Sequence, residues 1–174
     1  MTALRQAWRY AASWAWQLAL FAGLFVAVSA YQTRHHLARE PAPNFTLRDL
    51  AGNSISLSQH RGKKVLIHFF ATWCGVCRAE LPSVRGLARN LGPDEVLLAI
   101  VEDSDDVDAI RRFAREHELS YPILLGTRET LAAYRVSSFP TNYYVNGDGS
   151  ILTSTVGLST RLGMAFRLFR TNVR

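Results

Sequence analysis

The chain has 174 residues, enough for one domain with a real core plus a modest extra segment, and at 48% hydrophobic and 20% charged it is too rich in core formers to be disordered. Its net charge of +6 rests on 20 basic residues, 18 of them Arg, spread along the chain without a stripe or a known module, which argues against nucleic-acid binding. With only two cysteines, Cys74 and Cys77, there is no multi-bridge scaffold, so the core must hold the fold and the thiols are available for chemistry.

The first predicted element is an apolar run at 11–31, AASWAWQLALFAGLFVAVSAY. As a helix it would measure about 30 Å, the thickness of a bilayer core, with Trp14, Trp16 and Tyr31 near its ends as interfacial aromatics. Arg5, Arg9 and the string Val28-Ser29-Ala30 would also suit a cleaved signal peptide, but the run exceeds a usual signal core, and an uncleaved anchor preceded by a cytoplasmic tip at 1–10 is expected. The polar stretch 32–43 reads as a tether in which His35 and His36 are solvated, and the folded domain is expected over 44–174.

Within that domain, Phe45–Leu47 and Ser54–Leu57 alternate around a turn, predicting a β-hairpin. Lys63–Phe70 is nearly continuous in apolar residues and predicts a central strand buried on both faces. A helix follows the cysteines, with Leu81, Val84, Leu87, Ala88 and Leu91 at helical spacing, Pro82 inside it and a stop at Gly92-Pro93. Val96–Val101 is the next buried strand, which completes a βαβ unit. Ser104 is expected to cap a helix with Asp105, Asp106 and Asp108 in its first turn and Arg111, Arg112, Arg115 and His117 toward its end. Tyr121–Leu125 reads as a short strand and Thr127–Arg135 as a short helix. Thr141–Asn146 and Ile151–Val156 flank the turn Asn146-Gly147-Asp148-Gly149, and a closing helix is expected to cover the sheet with Leu162, Ala165, Phe166, Phe169 and Val173. The fold class is α/β, a mixed central sheet flanked by helices.

Cys74 falls where the buried strand gives way to the helix, so its sulfur should face free N–H groups and the positive end of the helix dipole, which favour thiolate. Cys77, one turn on, is within the Cα separation that a disulfide closes. The pair can therefore attack a partner disulfide and resolve the mixed disulfide, shuttling two electrons. Structural zinc would need two further ligands that the sequence does not space correctly. A staple across one turn would constrain almost no loop, and a single-cysteine peroxidase would leave Cys77 unexplained.

The string FFATWCGVC resembles the thioredoxin superfamily active site, and the run from Ala42 to Pro82 resembles that superfamily's membrane-anchored TlpA/ResA/CcmG branch. SSFPTNYYVNGDGSILTSTVG is similar to the cis-proline loop and terminal hairpin of the same fold, and Gly75-Val76 with the ending LSTRLGMAFRLFR is most similar to the ScsD-type (copper-sensitivity suppressor) oxidoreductases. The resemblance implies a thioredoxin-like fold with an N-terminal β-hairpin extension, Cys74 as nucleophile and Cys77 as resolving thiol. It also implies that Trp73, Phe139 and the cis-proline Pro140 contact substrate, and that Glu80 can serve as an acid/base beside the pair, although on its own Glu80 reads equally as a surface glutamate favoured by the dipole in a first helical turn. His68 stands where the branch usually has a neutral polar residue. It can serve as an acid/base or as a neutral hydrogen-bonded core residue. Val76 departs from the proline common at that place, which leaves the redox potential, and hence direction, open.

These residues together lead to the expectation of a thiol-disulfide oxidoreductase anchored in the bacterial inner membrane by one transmembrane helix. Its domain would face the periplasm and exchange disulfides with exported proteins as a reductant, recharged by a membrane electron donor of the DsbD/CcdA type. No cofactor is expected beyond the redox-active pair, and no metal. The competing reading is a thioredoxin-like copper-binding protein or metallochaperone, since thiolates favour Cu(I).

Overall fold

The computed structural model describes residues 16, 17, 20, 21, 23, 24, 40–102 and 105–173. The chain divides into two compact units, Met1–His36 and Leu37–Arg174. In the first, the six described residues are helical, and Trp16, Leu20, Phe21 and Leu24 are exposed. Among the described residues no helix is long and apolar enough to cross a membrane. The expected tip at 1–10, most of the span at 11–31 and the tether at 32–39, with His35 and His36, lie outside the described residues.

In the second unit the order is β1 (Thr46–Arg48), β2 (Ser54–Ser56), a 3-10 turn (Leu57–His60), β3 (Lys64–Phe70), α1 (Gly75–Ala88), β4 (Glu95–Val101), α2 (Val107–Glu116), β5 (Ile123–Leu125), α3 (Arg128–Ala133), β6 (Thr141–Val145), β7 (Ile151–Val156) and α4 (Arg161–Phe169). β1 and β2 form the expected hairpin. The other strands make one mixed sheet in the order β5-β4-β3-β6-β7, with β3, β4 and β5 parallel and β6 and β7 antiparallel to their neighbours. The run from Val65 to Phe70 is central and buried, as its continuous apolar character required.

Alternation along β3 divides the core. Leu66 and Phe70 pack with Cys77, Leu81 and Val84 of α1, Ile110 of α2, and Met164 and Leu168 of α4. Val65, Ile67 and Phe69 pack on the other face with Phe45, Leu47, Leu57 and Tyr134. Each fully buried aliphatic or Phe side chain here contributes about 1.5–3 kcal/mol by leaving water, so the unit has a self-sufficient core. In the hairpin between β6 and β7, Gly149 takes φ of +84°, a left-handed conformation that glycine accepts without strain.

Three local features differ from the sequence reading. Residues 40–43, expected in the tether, are attached to the sheet: Ile151 N–H donates to the Glu40 carbonyl at 2.9 Å and Ala42 N–H to the Gly149 carbonyl at 2.8 Å. α2 begins two residues later than expected, at Val107, because Asp106 accepts from Ala109 N–H and caps it, while Ser104 lies outside the described residues.

The third difference is the rotation of α4. Met164 and Leu168 face the core, whereas Leu162, Phe166 and Phe169 are 76%, 61% and 75% exposed. The helix carries two apolar stripes, and its entry decides between them. Ser159 N–H is tied to the buried Glu80 carboxylate and Thr160 caps the helix by accepting from Gly163 N–H, which turns the shorter stripe inward.

Candidate active site

Cys74 is the N-cap of α1, and its sulfur accepts from Cys77 N–H at 3.1 Å. The two cysteines are joined in a disulfide with Cα atoms 5.2 Å apart. Cys74 is 7% exposed and Cys77 fully buried, so of the two only Cys74 reaches the surface. After reduction the same N–H and the helix terminus would favour thiolate at Cys74, while burial favours the neutral thiol at Cys77.

The approach to Cys74 is apolar. Phe139-Pro140 is a cis peptide, and the Phe139 carbonyl oxygen lies 3.6 Å from Cys74 Sγ. Trp73 is 63% exposed, packs edge-on against Phe139 with ring centres 6.0 Å apart, and donates Nε1–H to Glu102 Oε2 at 3.4 Å. Val76 is exposed beside the pair in sequence. Phe139 thus neighbours both Trp73 and Cys74, with Pro140 joined to it by the cis bond.

Glu80 and His68 are brought together with each other. Glu80, one turn beyond Cys77 on α1, is fully buried, as is His68 on β3. Between them stands Asn142, the partner of His68 in the β3–β6 register. Its side-chain NH2 donates to Glu80 Oε1 at 3.4 Å, and its Oδ1 accepts from His68 Nδ1 at 2.8 Å, an assignment that places the imidazole proton on Nδ1. Glu80 Oε1 also accepts from Ser159 N–H at 2.7 Å. Glu80 Oε2 lies 3.7 Å from His68 Nδ1, and neither Oε2 nor His68 Nε2 has a hydrogen-bond partner among the described residues.

Burial pushes the Glu80 carboxyl up to about 7, against the lowering effect of the Ser159 and Asn142 hydrogen bonds. It pushes His68 down to about 4, against the raising effect of Asn142. The 3.7 Å approach is therefore not an ion pair at neutral pH: the imidazole is neutral and the carboxyl is near half protonation. Among the described residues His68 makes its polar contacts with Asn142 and Glu80 and stacks on Phe70 at 5.5 Å, with no hydrogen bond to either sulfur. That arrangement favours the neutral core residue over a base acting on Cys74.

Asn142 and Ser159 were not marked by the sequence reading. The available signal was an amide in the otherwise apolar strand TNYYV, two residues after Pro140. Ser159 acts on Glu80 first through its backbone N–H, for which residue type gives no signal, and then through its side chain. Among the described residues no group of three or more His, Cys, Asp or Glu is placed to hold a metal ion.

Comparison with known proteins agrees with this geometry. The AhpC/TSA family matches residues 38–154. Thioredoxin-like protein YneN of Bacillus subtilis is 35% identical over 131 residues, covering 74% of this chain and 77% of its own. Thiol-disulfide oxidoreductase ResA of Bacillus subtilis is 32% identical over 120 residues, covering 68% and 67%. Among solved structures, the exposed lipoprotein thioredoxin Etrx1 of Streptococcus pneumoniae matches with a TM-score of 0.64 at 27% identity, over 73% of this chain and 98% of its own. StoA of Bacillus subtilis matches with a TM-score of 0.65 at 22% identity, over 72% and 96%, a likeness that bears on the fold. Both solved chains are matched over nearly their whole length.

Proposed function

Because this chain belongs to the AhpC/TSA family, in its ResA-type branch of thioredoxin-like thiol-disulfide oxidoreductases, we propose that it reduces disulfides in exported proteins from an inner-membrane anchor. The observation that carries the reading is the Cys74–Cys77 disulfide at the start of α1, with Cys74 alone reaching the surface and Cys77 and Glu80 fully buried behind it.

In the proposed cycle, the Cys74 thiolate attacks one sulfur of a partner disulfide and the other partner sulfur leaves as thiolate. Trp73, Phe139 and Pro140 hold the partner segment against the accessible sulfur. The Cys77 thiol then gives its proton to the Glu80 carboxylate and attacks Cys74 Sγ, which releases the second partner sulfur and leaves the pair oxidised. A carboxyl near 7 suits this transfer, since it is present both as acceptor and as donor at neutral pH. His68 and Asn142 position Glu80. Two electrons from a membrane dithiol donor of the DsbD/CcdA type restore the pair, which is itself the redox group and calls for no further cofactor.

Anchoring by 11–31 and a periplasmic domain are part of the same proposal, supported by the apolar length of that segment and by the oxidising compartment in which partner disulfides form. The test is the equilibrium potential and disulfide exchange of residues 37–174, with Cu(I) titrated in parallel. A potential well below the roughly −120 mV of a strong oxidant, with exchange activity, is the expected result. Tight Cu(I) binding without exchange would replace this reading with a copper carrier. A C-terminal reporter fusion reads the topology.

A further inference from the structure

The outward stripe of α4 has no role in the thiol chemistry. Leu162, Phe166 and Phe169, followed by Val173 at 41%, stand exposed at intervals of four, three and four residues, one continuous line along the helix and its tail. Monomeric soluble proteins seldom leave such a line uncovered. Its surroundings are cationic. Arg161 and Arg170 are exposed and Arg167 half-buried on the same segment, the Arg170 guanidinium stands 5.9 Å from the Phe166 ring centre, and Lys64 Nζ stands 5.6 Å from that of Phe169. Residues 158–173 contain no acid, and one carboxylate, Glu95, lines the groove that Leu162 and Arg161 share with α1.

We propose that this face of α4 is a docking surface for an anionic phospholipid bilayer, with Leu162, Phe166 and Phe169 entering the headgroup boundary and Arg161, Arg167, Arg170 and Lys64 lying among the phosphates. Apolar and aromatic side chains on one line of a helix with Arg beside them are the composition of an interfacial helix. Long cationic side chains lie along the rings and keep their heads at the polar level. An uncharged protein groove would accept the stripe but offer no anion to Arg161, Arg170 and Lys64, and a second copy would set like charges against each other across a two-fold axis. The covalent chain agrees: only the eight residues 32–39 separate the proposed anchor from Glu40, a reach of at most about 28 Å fully extended. That clause rests on the anchor reading; the surface itself does not.

The experiment uses residues 37–174, which lack the apolar N-terminal run, in co-sedimentation with vesicles of phosphatidylcholine alone or with phosphatidylglycerol added. Binding to the anionic vesicles, weakened by raised salt, is expected. Removing two charges with Arg167→Gln/Arg170→Gln should lower it about 25-fold, at about fivefold per charge. Phe166→Ser/Phe169→Ser should abolish it while exchange with a small-molecule disulfide stays unchanged, which also verifies folding. Absence of binding, or equal binding to both vesicle types, overturns the proposal. So does a concentration-dependent dimer, lost in the Phe166→Ser/Phe169→Ser protein, that forms without vesicle binding and assigns the stripe to a second copy. Since residues 1–36 are absent from the protein tested, a negative result speaks to α4 alone, and the anchor is judged separately by fractionating the full chain.

Discussion

Glu80 and His68 should give this protein two opposite pH dependences of stability that cancel until one partner is removed. Stability rises with pH wherever the unfolded chain binds more protons than the folded one. Glu80 is raised from 4.5 to about 7, so between those values the folded chain holds a proton that the unfolded chain has lost, and stability falls as pH rises. His68 is lowered from 6.5 to about 4, so between those values the unfolded chain holds the extra proton, and stability rises with pH. From about 4.5 to 6.5 the folded and unfolded chains each carry one proton on the pair, and the two slopes cancel.

Each gap spans two and a half decades of proton concentration, which at 1.36 kcal/mol per decade makes each opposing contribution about 3 kcal/mol at full extent. Glu80→Gln keeps the acceptor for Ser159 N–H and leaves His68 uncompensated, so stability should climb by an amount on the order of 3 kcal/mol between about pH 4 and 6.5. His68→Asn leaves Glu80, and stability should drop by a similar amount between about pH 4.5 and 7. The assay is urea unfolding of the oxidised proteins across this range, each compared with the parent so that Asp49, Asp148 and other shared carboxylates subtract out. Parallel profiles in all three proteins would refute the assignment of a neutral imidazole beside a protonated carboxyl.

Asn142→Ala strands His68 Nδ1 and removes a hydrogen bond that lowers the Glu80 value. It should cost about 1–3 kcal/mol and move the Glu80 titration to higher pH, read by 13C-carboxyl NMR. In Cys77→Ser, the Cys74 mixed disulfide should accumulate on non-reducing gels; in Glu80→Gln its resolution at neutral pH should slow about a hundredfold or more. Trp73→Ala touches an exposed ring and should leave stability within about 0.5 kcal/mol while slowing exchange with protein substrates more than with small disulfides, in stopped-flow assays of both. Leu66→Ala, at a fully buried position in the central strand, should cost about 2–5 kcal/mol in denaturant unfolding.

The sheet and the redox pair were legible because their signals are local. A nearly continuous apolar run such as VLIHFF permits little besides a two-sided buried strand, and the cysteines report their own spacing. The rotation of α4 was not legible, because both Leu162/Phe166/Phe169 and Met164/Leu168 satisfy helical periodicity and the longer stripe wins any count by residue. What chose the shorter one is a contact across 79 positions, from Ser159 N–H to Glu80. The grouping of His68 and Glu80 around Asn142 was hidden for the same reason: the three come from three elements, and although His68 and Glu80 stood out as candidates, nothing local tied them to Asn142.

That single hydrogen bond ties two functions together. It lowers the Glu80 value against burial, so it helps set the carboxyl near 7 where a proton can pass either way. It also fixes the start of α4, and so decides that Leu162, Phe166 and Phe169 face outward with their arginines. A hydrogen bond to a charged acceptor is roughly twice as strong as one to a neutral acceptor, so the grip of α1 on the entry to α4 tightens when Glu80 ionises and loosens when it takes a proton. Hydrogen exchange at Ser159 N–H should accordingly be slower above about pH 7 than the intrinsic base-catalysed trend predicts, and Glu80→Gln should remove that deviation. A trend at Ser159 that follows the intrinsic rate in both proteins would separate the chemistry of the pair from the orientation of the helix.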